Sequence, residues 1–117
     1  MKAYRIAVIP GDGIGVDTID EAQATLDVVT RAHGGIRLEF DRFPWGCTYY
    51  LNHHEMMPSD GLSILSGYES ILFGAVGYPT VPDHVSLWGL LLPLRQHFDQ
   101  YINLRPVKLL DGIPGPL

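Results

Sequence analysis

The sequence predicts an α/β chain built on an open sheet of parallel strands with flanking helices. Three observations predict it. A short apolar run with β-branched residues, Tyr4 to Pro10, stops abruptly at glycines; a helical repeat, Ile19, Ala22, Leu26 and Val29, follows and runs out at Gly34; an alternating segment, Arg37 to Phe43, comes next. Strand, helix and strand in that order make a parallel unit.

The first run has the continuous apolar character of a strand buried on both faces. PGDGIG, Pro10 to Gly15, separates it from the helix, which Gly34 closes as a C-cap. The second strand sets Leu38, Phe40 and Arg42 against Arg37, Glu39 and Asp41, so it is less buried. Trp45 to Gly61 mixes aromatics, two histidines and a proline, and a short helix over Thr48 to His54 followed by loop is expected there. Asp60 is placed to cap another short helix, Gly61 to Leu65, which Ser66-Gly67 ends. Tyr68 to Val76 contains a compact apolar run and is the third strand, and Gly77 to Ser86, with two prolines, reads as an exposed loop after it. Ser86 can cap a helix carrying Leu90, Leu91, Leu94 and Phe98 at helical spacing. Pro93 costs about 3 kcal/mol inside a regular helix, so it belongs in the first turn or at a kink. Tyr101 to Val107 alternates like a strand, and Asp111 to Leu117 is loop.

With 117 residues the chain is long enough for one ordinary core and has no repeat. Its net charge of -5 argues against a nucleic-acid partner. No apolar run is long enough to span a bilayer, and Met1 to Arg5 lead straight into the first strand, so the expected setting is cytoplasmic, without membrane association. Cys47, the single cysteine, has no partner for an intrachain disulfide and reads as a buried small hydrophobe.

Two arginines carry the most chemistry. Arg95 stands on the border of the apolar helix face, and Arg105 shares one side of the following alternating segment with Tyr101 and Asn103. Two guanidinium forks converging on one cleft suit a small polycarboxylate; the alternative is a pair of solvated surface arginines with Asp99 as a partner. In an open parallel sheet ligands bind beyond the carboxyl ends of the strands, which makes PGDGIG and Gly77 to Ser86 the two natural ligand loops. PGDGIG departs from the dinucleotide fingerprint, since Gly11, Gly13 and Gly15 are followed by Val16 where the pattern needs its third glycine. A tight strand-to-helix turn fits that spacing better. His53-His54-Glu55 has the composition of a metal site, but adjacent residues on a helix point about 100° apart, so a polar helix end fits better. His33, His84 and His97 are isolated, Ser63, Ser66 and Ser70 lack a glycine elbow, and no acid-base pair is visible.

IPGDGIG (Ile9 to Gly15), FGAVGYP (Phe73 to Pro79) and LLPLRQHFDQYINLRPVK (Leu91 to Lys108), in this order and at this separation, resemble the β-decarboxylating dehydrogenases, the family of isopropylmalate, isocitrate and tartrate/D-malate dehydrogenases. The resemblance covers nearly the whole chain. VPDHVSLWG (Val81 to Gly89) and FDQYINLRP are most similar to the tartrate and D-malate branch. The resemblance implies an isopropylmalate-dehydrogenase-like fold of which residues 1–117 are the N-terminal part of the large domain. It implies that Arg95 and Arg105 bind the carboxylates of a small dicarboxylate substrate, with Leu91 beside them, and that Gly77, Tyr78, Pro79, Leu87 and Trp88 border an NAD cofactor. Leu87 stands where the isopropylmalate branch carries a glutamate, so a nicotinamide contact from that side chain does not carry over. The family's PGDGIG belongs to its own dinucleotide site. Its catalytic tyrosine and lysine, a third substrate arginine, the adenine loop and the aspartates that hold Mg2+ or Mn2+ are expected beyond Leu117, as is the rest of a homodimer. The expected activity is NAD-dependent oxidation and decarboxylation of tartrate or D-malate by the parent protein, with the chain itself a fragment inactive alone. The alternatives are isopropylmalate dehydrogenase and, from another class, a non-catalytic α/β binding module.

Overall fold

A computed structural model of the chain describes residues 1–116. Three strands, β1 (Lys2–Gly11), β2 (Ile36–Arg42) and β3 (Ser70–Ala75), form one parallel sheet in the order β2-β1-β3. The helices are α1 (Ile14–His33), α2 (Cys47–His53), α3 (Gly61–Leu65), α4 (Asp83–Ser86) and α5 (Leu92–His97), and a π turn, Leu87–Leu91, joins the last two.

β1 lies in the middle, and its apolar run is buried as a central parallel strand requires: Ala7, Val8 and Ile9 are each 0% exposed. Register then assigns the two faces. Ala7 pairs with Ile71 and Ile9 with Phe73, and all four belong to or pack against a core of Trp45, Cys47, Met56, Leu65, Val81, Leu90 and Leu94. The segments from Trp45 onward therefore cover that face. Val8 points the other way, toward the side covered by α1, which packs against all three strands and buries Ile19. Ile36, Leu38 and Phe40 alternate half-buried positions along β2, in agreement with its expected pattern. On the opposite face of β2, Asp41 accepts from Arg5 (3.1 Å) and from the Tyr68 hydroxyl (2.8 Å), tying β1, β2 and the approach to β3 together.

α1 ends as expected: Gly34 has φ 77, and its N–H donates to the Thr30 carbonyl at 3.0 Å. Its inner stripe passes from the buried Ile19 through the half-buried Ala22 and Leu26 to Thr30, and Val29 falls off the edge of it at 56% exposure. α3 occupies the predicted residues, but the Asp60 side chain makes no capping bond; its carbonyl accepts from Ile64 instead.

The second half departs further from expectation. The helix carrying Arg95 does not start at Ser86: α4 begins at Asp83, Ser86 is buried inside it, and the Ser86 hydroxyl donates to the Asp83 carbonyl at 3.0 Å. The segment from Gly77 to Ser86 is accordingly loop only as far as Pro82, and Val81 is buried at 6% exposure as a core residue. Pro93 explains the π turn. It has no N–H and its ring crowds the carbonyl four residues back, and the chain widens just before it, with the Leu92 N–H donating to Leu87 five residues earlier. Tyr101 to Val107 forms no strand. Tyr101, Ile102, Leu104 and Val107 are 89%, 73%, 83% and 92% exposed, because the segment has no paired neighbour and alternation alone cannot make a strand without one.

β1 and β3 approach so closely at their carboxyl ends that only glycine fits. A Cβ on Gly11, which has φ 77, would stand 2.0 Å from the Ala75 carbonyl oxygen. Gly11→Ala is therefore expected to cost on the order of 3 kcal/mol or more, read as a Tm lowered by about 10 °C. Gly13→Ala, with φ 54 but nothing within 4 Å of the added carbon, is the control and should cost about 1 kcal/mol. Equal losses in thermal denaturation of the two variants would refute the close-approach account.

Candidate functional site

The carboxyl ends of β1 and β3 open into the two predicted ligand loops, and one side chain joins them. Asp12, in the middle of PGDGIG, is 4% exposed. Its Oδ2 accepts from the backbone N–H of Cys47 (2.9 Å) and of Gly77 (3.1 Å), and its Oδ1 from the N–H (2.9 Å) and hydroxyl (3.0 Å) of Thr48. Its own N–H donates to Ala75 at 2.7 Å. The first turn of α2 is thus capped from 35 residues away by a carboxylate, the role that Gly46 at the N-cap position has no side chain to fill. Gly46, at φ 151, also leaves the space: a Cβ there would lie 3.0 Å from Asp12 Oδ1. Burial by itself would raise the Asp12 carboxyl, but the donors from Thr48, Cys47 and Gly77 outweigh it and hold the group below its ordinary value. So partnered, Asp12 is a clamp for the loops and not a proton shuttle.

The same contact disarms Cys47. Its thiol, 0% exposed, is pushed up to about 11 by burial and then by the neighbouring Asp12 charge, consistent with a buried small hydrophobe. His53 stacks on Tyr49 at 4.0 Å with its Nδ1 3.0 Å from the Tyr49 carbonyl oxygen, and His54 ends α2 with φ 59, which makes this pair a polar helix end.

Beside the Asp12 clamp, Gly11, Gly13, Val16, Arg42, Pro44 and Thr48 line an open cleft, with Arg42 held by Asp20 (2.6 Å) and Gln23 (3.3 Å). Gly77, fixed by its bond to Asp12, starts a turn in which the Val81 N–H donates to the Tyr78 carbonyl at 3.0 Å, and Tyr78 and Pro79 stand exposed on it. Leu87 and Trp88 sit on the π turn at 42% and 63% exposure, and Trp88 lines a second cleft with Tyr50, His54, Glu55 and His84.

Arg95 lies on α5 at the rim of a smaller cavity of 190 Å³ whose other walls are Ile71, Phe73, Leu91, Leu94 and Gln100. The structure therefore brings Arg95 and Leu91 together at one cavity, and Arg95 forms no ion pair with Asp99. It does not bring Arg105 there. Arg105 is exposed in the coil, because the segment expected to deliver it as a strand is unpaired. Among the described residues no three His, Cys, Asp or Glu side chains are grouped to hold a metal ion.

Asp12 is the residue that sequence reasoning missed. Its signal was an acid placed between the glycines of a turn closing a wholly apolar strand, together with a helix at Cys47 that has no capping side chain of its own.

Known proteins resemble this chain throughout. A sequence profile of the isocitrate/isopropylmalate dehydrogenase family matches residues 5–115. A probable tartrate dehydrogenase/decarboxylase of Bacillus subtilis (strain 168) is 48% identical over 118 residues, taking in 100% of this chain and 33% of that protein. The D-malate dehydrogenase (decarboxylating) of Escherichia coli (strain K12) is 51% identical over 119 residues, again 100% of this chain and 33% of the relative. The chain thus spans about a third of the length of these relatives. In three dimensions it resembles a β-decarboxylating dehydrogenase from Thermococcus kodakarensis in its apo form, with a TM-score of 0.62 and 33% identity over 84% of this chain and 27% of the other.

Because the folded value of Asp12 lies below its ordinary value near 4, the stability it contributes is complete above about pH 4 and is lost as pH falls through the folded value. Asp12→Asn places an amide N–H₂ among N–H donors and is expected to cost on the order of 3 kcal/mol at pH 7. The gap between parent and variant in urea unfolding should stay constant from pH 7 to about 5 and narrow below about 4; a gap that is absent at pH 7 or unchanged at low pH contradicts the clamp.

Proposed function

Since the chain belongs to the isocitrate/isopropylmalate dehydrogenase family, we propose that its parent protein oxidises a 2-hydroxy dicarboxylate, tartrate or D-malate, with NAD and a divalent metal ion, Mg2+ or Mn2+, and releases CO₂ from the product. In this reading residues 1–117 are the N-terminal part of the large domain of a cytoplasmic homodimer. The single observation that carries the substrate side is Arg95 at the rim of an apolar cavity, within a chain about half identical to relatives named for tartrate and D-malate.

The chemistry follows from the residues in hand. Arg95 presents a rigid fork to one carboxylate, and Leu91 on the same wall packs against the carbon skeleton. Arg105 supplies the second guanidinium once its segment is ordered. Gly77, held by Asp12, lets the loop through Tyr78 and Pro79 border the nicotinamide, and Leu87 and Trp88 close that side with apolar surface that excludes water. NAD, when bound, accepts hydride from the carbon bearing the hydroxyl, and the arginines hold that carbon in place as it leaves. The Asp12 clamp makes the cofactor loops a pre-formed unit. The ion's ligands are assigned, from the family resemblance, to aspartates in other parts of the parent protein.

The test uses the full-length protein carrying this sequence. Arg95→Lys and Arg105→Lys keep the charge but lose the fork, leaving a carboxylate incompletely paired at a cost on the order of 2–4 kcal/mol. kcat/KM for D-malate should fall about 30-fold or more, whereas the Kd of NAD should change less than about twofold. If both variants stay within about twofold of the parent, the arginines are surface charges and the dicarboxylate assignment falls. Turnover of isopropylmalate in preference to D-malate and tartrate would move the protein to the isopropylmalate branch.

A further inference from the structure

The segment that carries α2 is closed at its base. Gly46, which precedes the two residues held by Asp12, donates its N–H to the Met56 carbonyl at 3.1 Å, so the chain leaves the Asp12 clamp at Gly46 and is back beside it at Met56. Met56 is 3% exposed and belongs to the core with Cys47, Val81 and Leu90. Its side chain lies against the π turn: a Cβ on Gly89 would stand 2.6 Å from Met56 Cγ and 3.1 Å from Met56 Cβ. Gly89 is therefore a glycine for a reason outside its own backbone. It has no left-handed φ to satisfy, and a glycine inside a helical run is unfavourable. What it provides is a bare surface on which a buried methionine sits. Its neighbours in the turn are Leu90, locked in the core at 0% exposure, and Trp88, exposed at 63%. One interior contact thus joins a segment whose base is fixed by Asp12 to the turn that carries Leu87 and Trp88.

We propose that Met56 is a positioning residue for the cofactor border. Seated on Gly89, it transmits to the π turn the placement that Asp12 imposes on the base of α2, and so sets where Leu87 and Trp88 stand relative to Gly77, the other group that Asp12 holds. The proposal rests on the reading of Gly77, Leu87 and Trp88 as residues that border NAD. An unbranched thioether suits the task, because it fills an irregular gap without forcing the backbone beneath it.

The test uses the full-length protein carrying this sequence, with the Kd of NAD as the functional readout and deuterium uptake of the peptide containing Leu87 to Leu92 as one that needs no cofactor. Gly89→Ala drives a methyl into Met56 Cγ, and Met56→Ala removes the seat; each should raise the Kd of NAD about tenfold and increase uptake in that peptide. Combining the two leaves the new methyl 3.1 Å from the Cβ that remains at position 56, a contact that a small shift relieves. The double variant should therefore bind NAD within about threefold of the parent, and its uptake should fall back toward the parent's. Ile19→Ala, at a site 3% exposed on the opposite face of the sheet, lowers stability without touching the turn and should leave the Kd of NAD within about twofold. Single variants that melt lower but bind NAD as the parent does, or a double variant no better than the worse single one, overturn the proposal, since Met56 would then be a core residue and nothing more. A parent that binds no NAD is the other failure, that of the cofactor reading itself. Recovered uptake in the double variant would then still uphold the seat of Met56 on the turn, and uptake that stays high would overturn it as well.

Discussion

One buried carboxylate holds this architecture together at its working end. Asp12, in the turn between β1 and α1, receives four donors, three from backbone and one from a hydroxyl, contributed by two stretches far from it in sequence: Cys47 and Thr48 open α2, and Gly77 leaves β3. Without that charge the first turn of α2 would have one buried and one part-buried N–H group with nothing to satisfy them. With it, the loops beyond two strands and the start of a helix are fixed relative to one another. The glycines of PGDGIG follow from this arrangement. Gly11 and Gly15 are small because Ala75 and the Pro10 carbonyl press against them, so that the carboxylate can reach across.

The parts of the fold that could be read in advance were those decided by local periodicity. The buried β1 run, the α1 stripe with its Gly34 cap and the alternation of β2 each announce themselves within a window of about ten to twenty residues, and each appears where the pattern placed it. The α2 and α3 segments were legible within a residue of their bounds. What failed to show was decided by distant partners. Asp12 looks like a turn residue until Cys47, Thr48 and Gly77 are brought to it. Ser86 looks like a cap until Val81 is seen to be drawn into the core, and the cap position falls four residues earlier, at Pro82. Tyr101 to Val107 has the pattern of a strand, and pattern cannot supply the neighbour that a strand needs.

The two arginines divide along the same line. Arg95 is carried by a helix whose inner residues, Leu90 and Leu94, are locked in the core, so its position is inherited from packing. Arg105 depends on a segment that the three-stranded sheet leaves free. One arginine is thus carried by a packed helix and the other by an exposed coil.

The wide turn ahead of Pro93 has a consequence for helix phase. Residues seven apart on a regular α-helix come back to nearly the same side, drifting only about 20°, so Leu87 and Leu94 would both point into the core if the turns were uniform. An extra residue in one turn offsets the two halves by about 100°. Leu94 stays at 4% exposure while Leu87 emerges at 42%. The proline is thereby linked to the surface chemistry of a position six residues before it. Replacing Pro93 with a residue that restores an even helix would rotate Leu87 and Trp88 with respect to the sheet, without any change to those side chains themselves. What that rim exposes is written partly in backbone winding, so comparing aligned residue identities alone would misjudge which side chains reach the surface there.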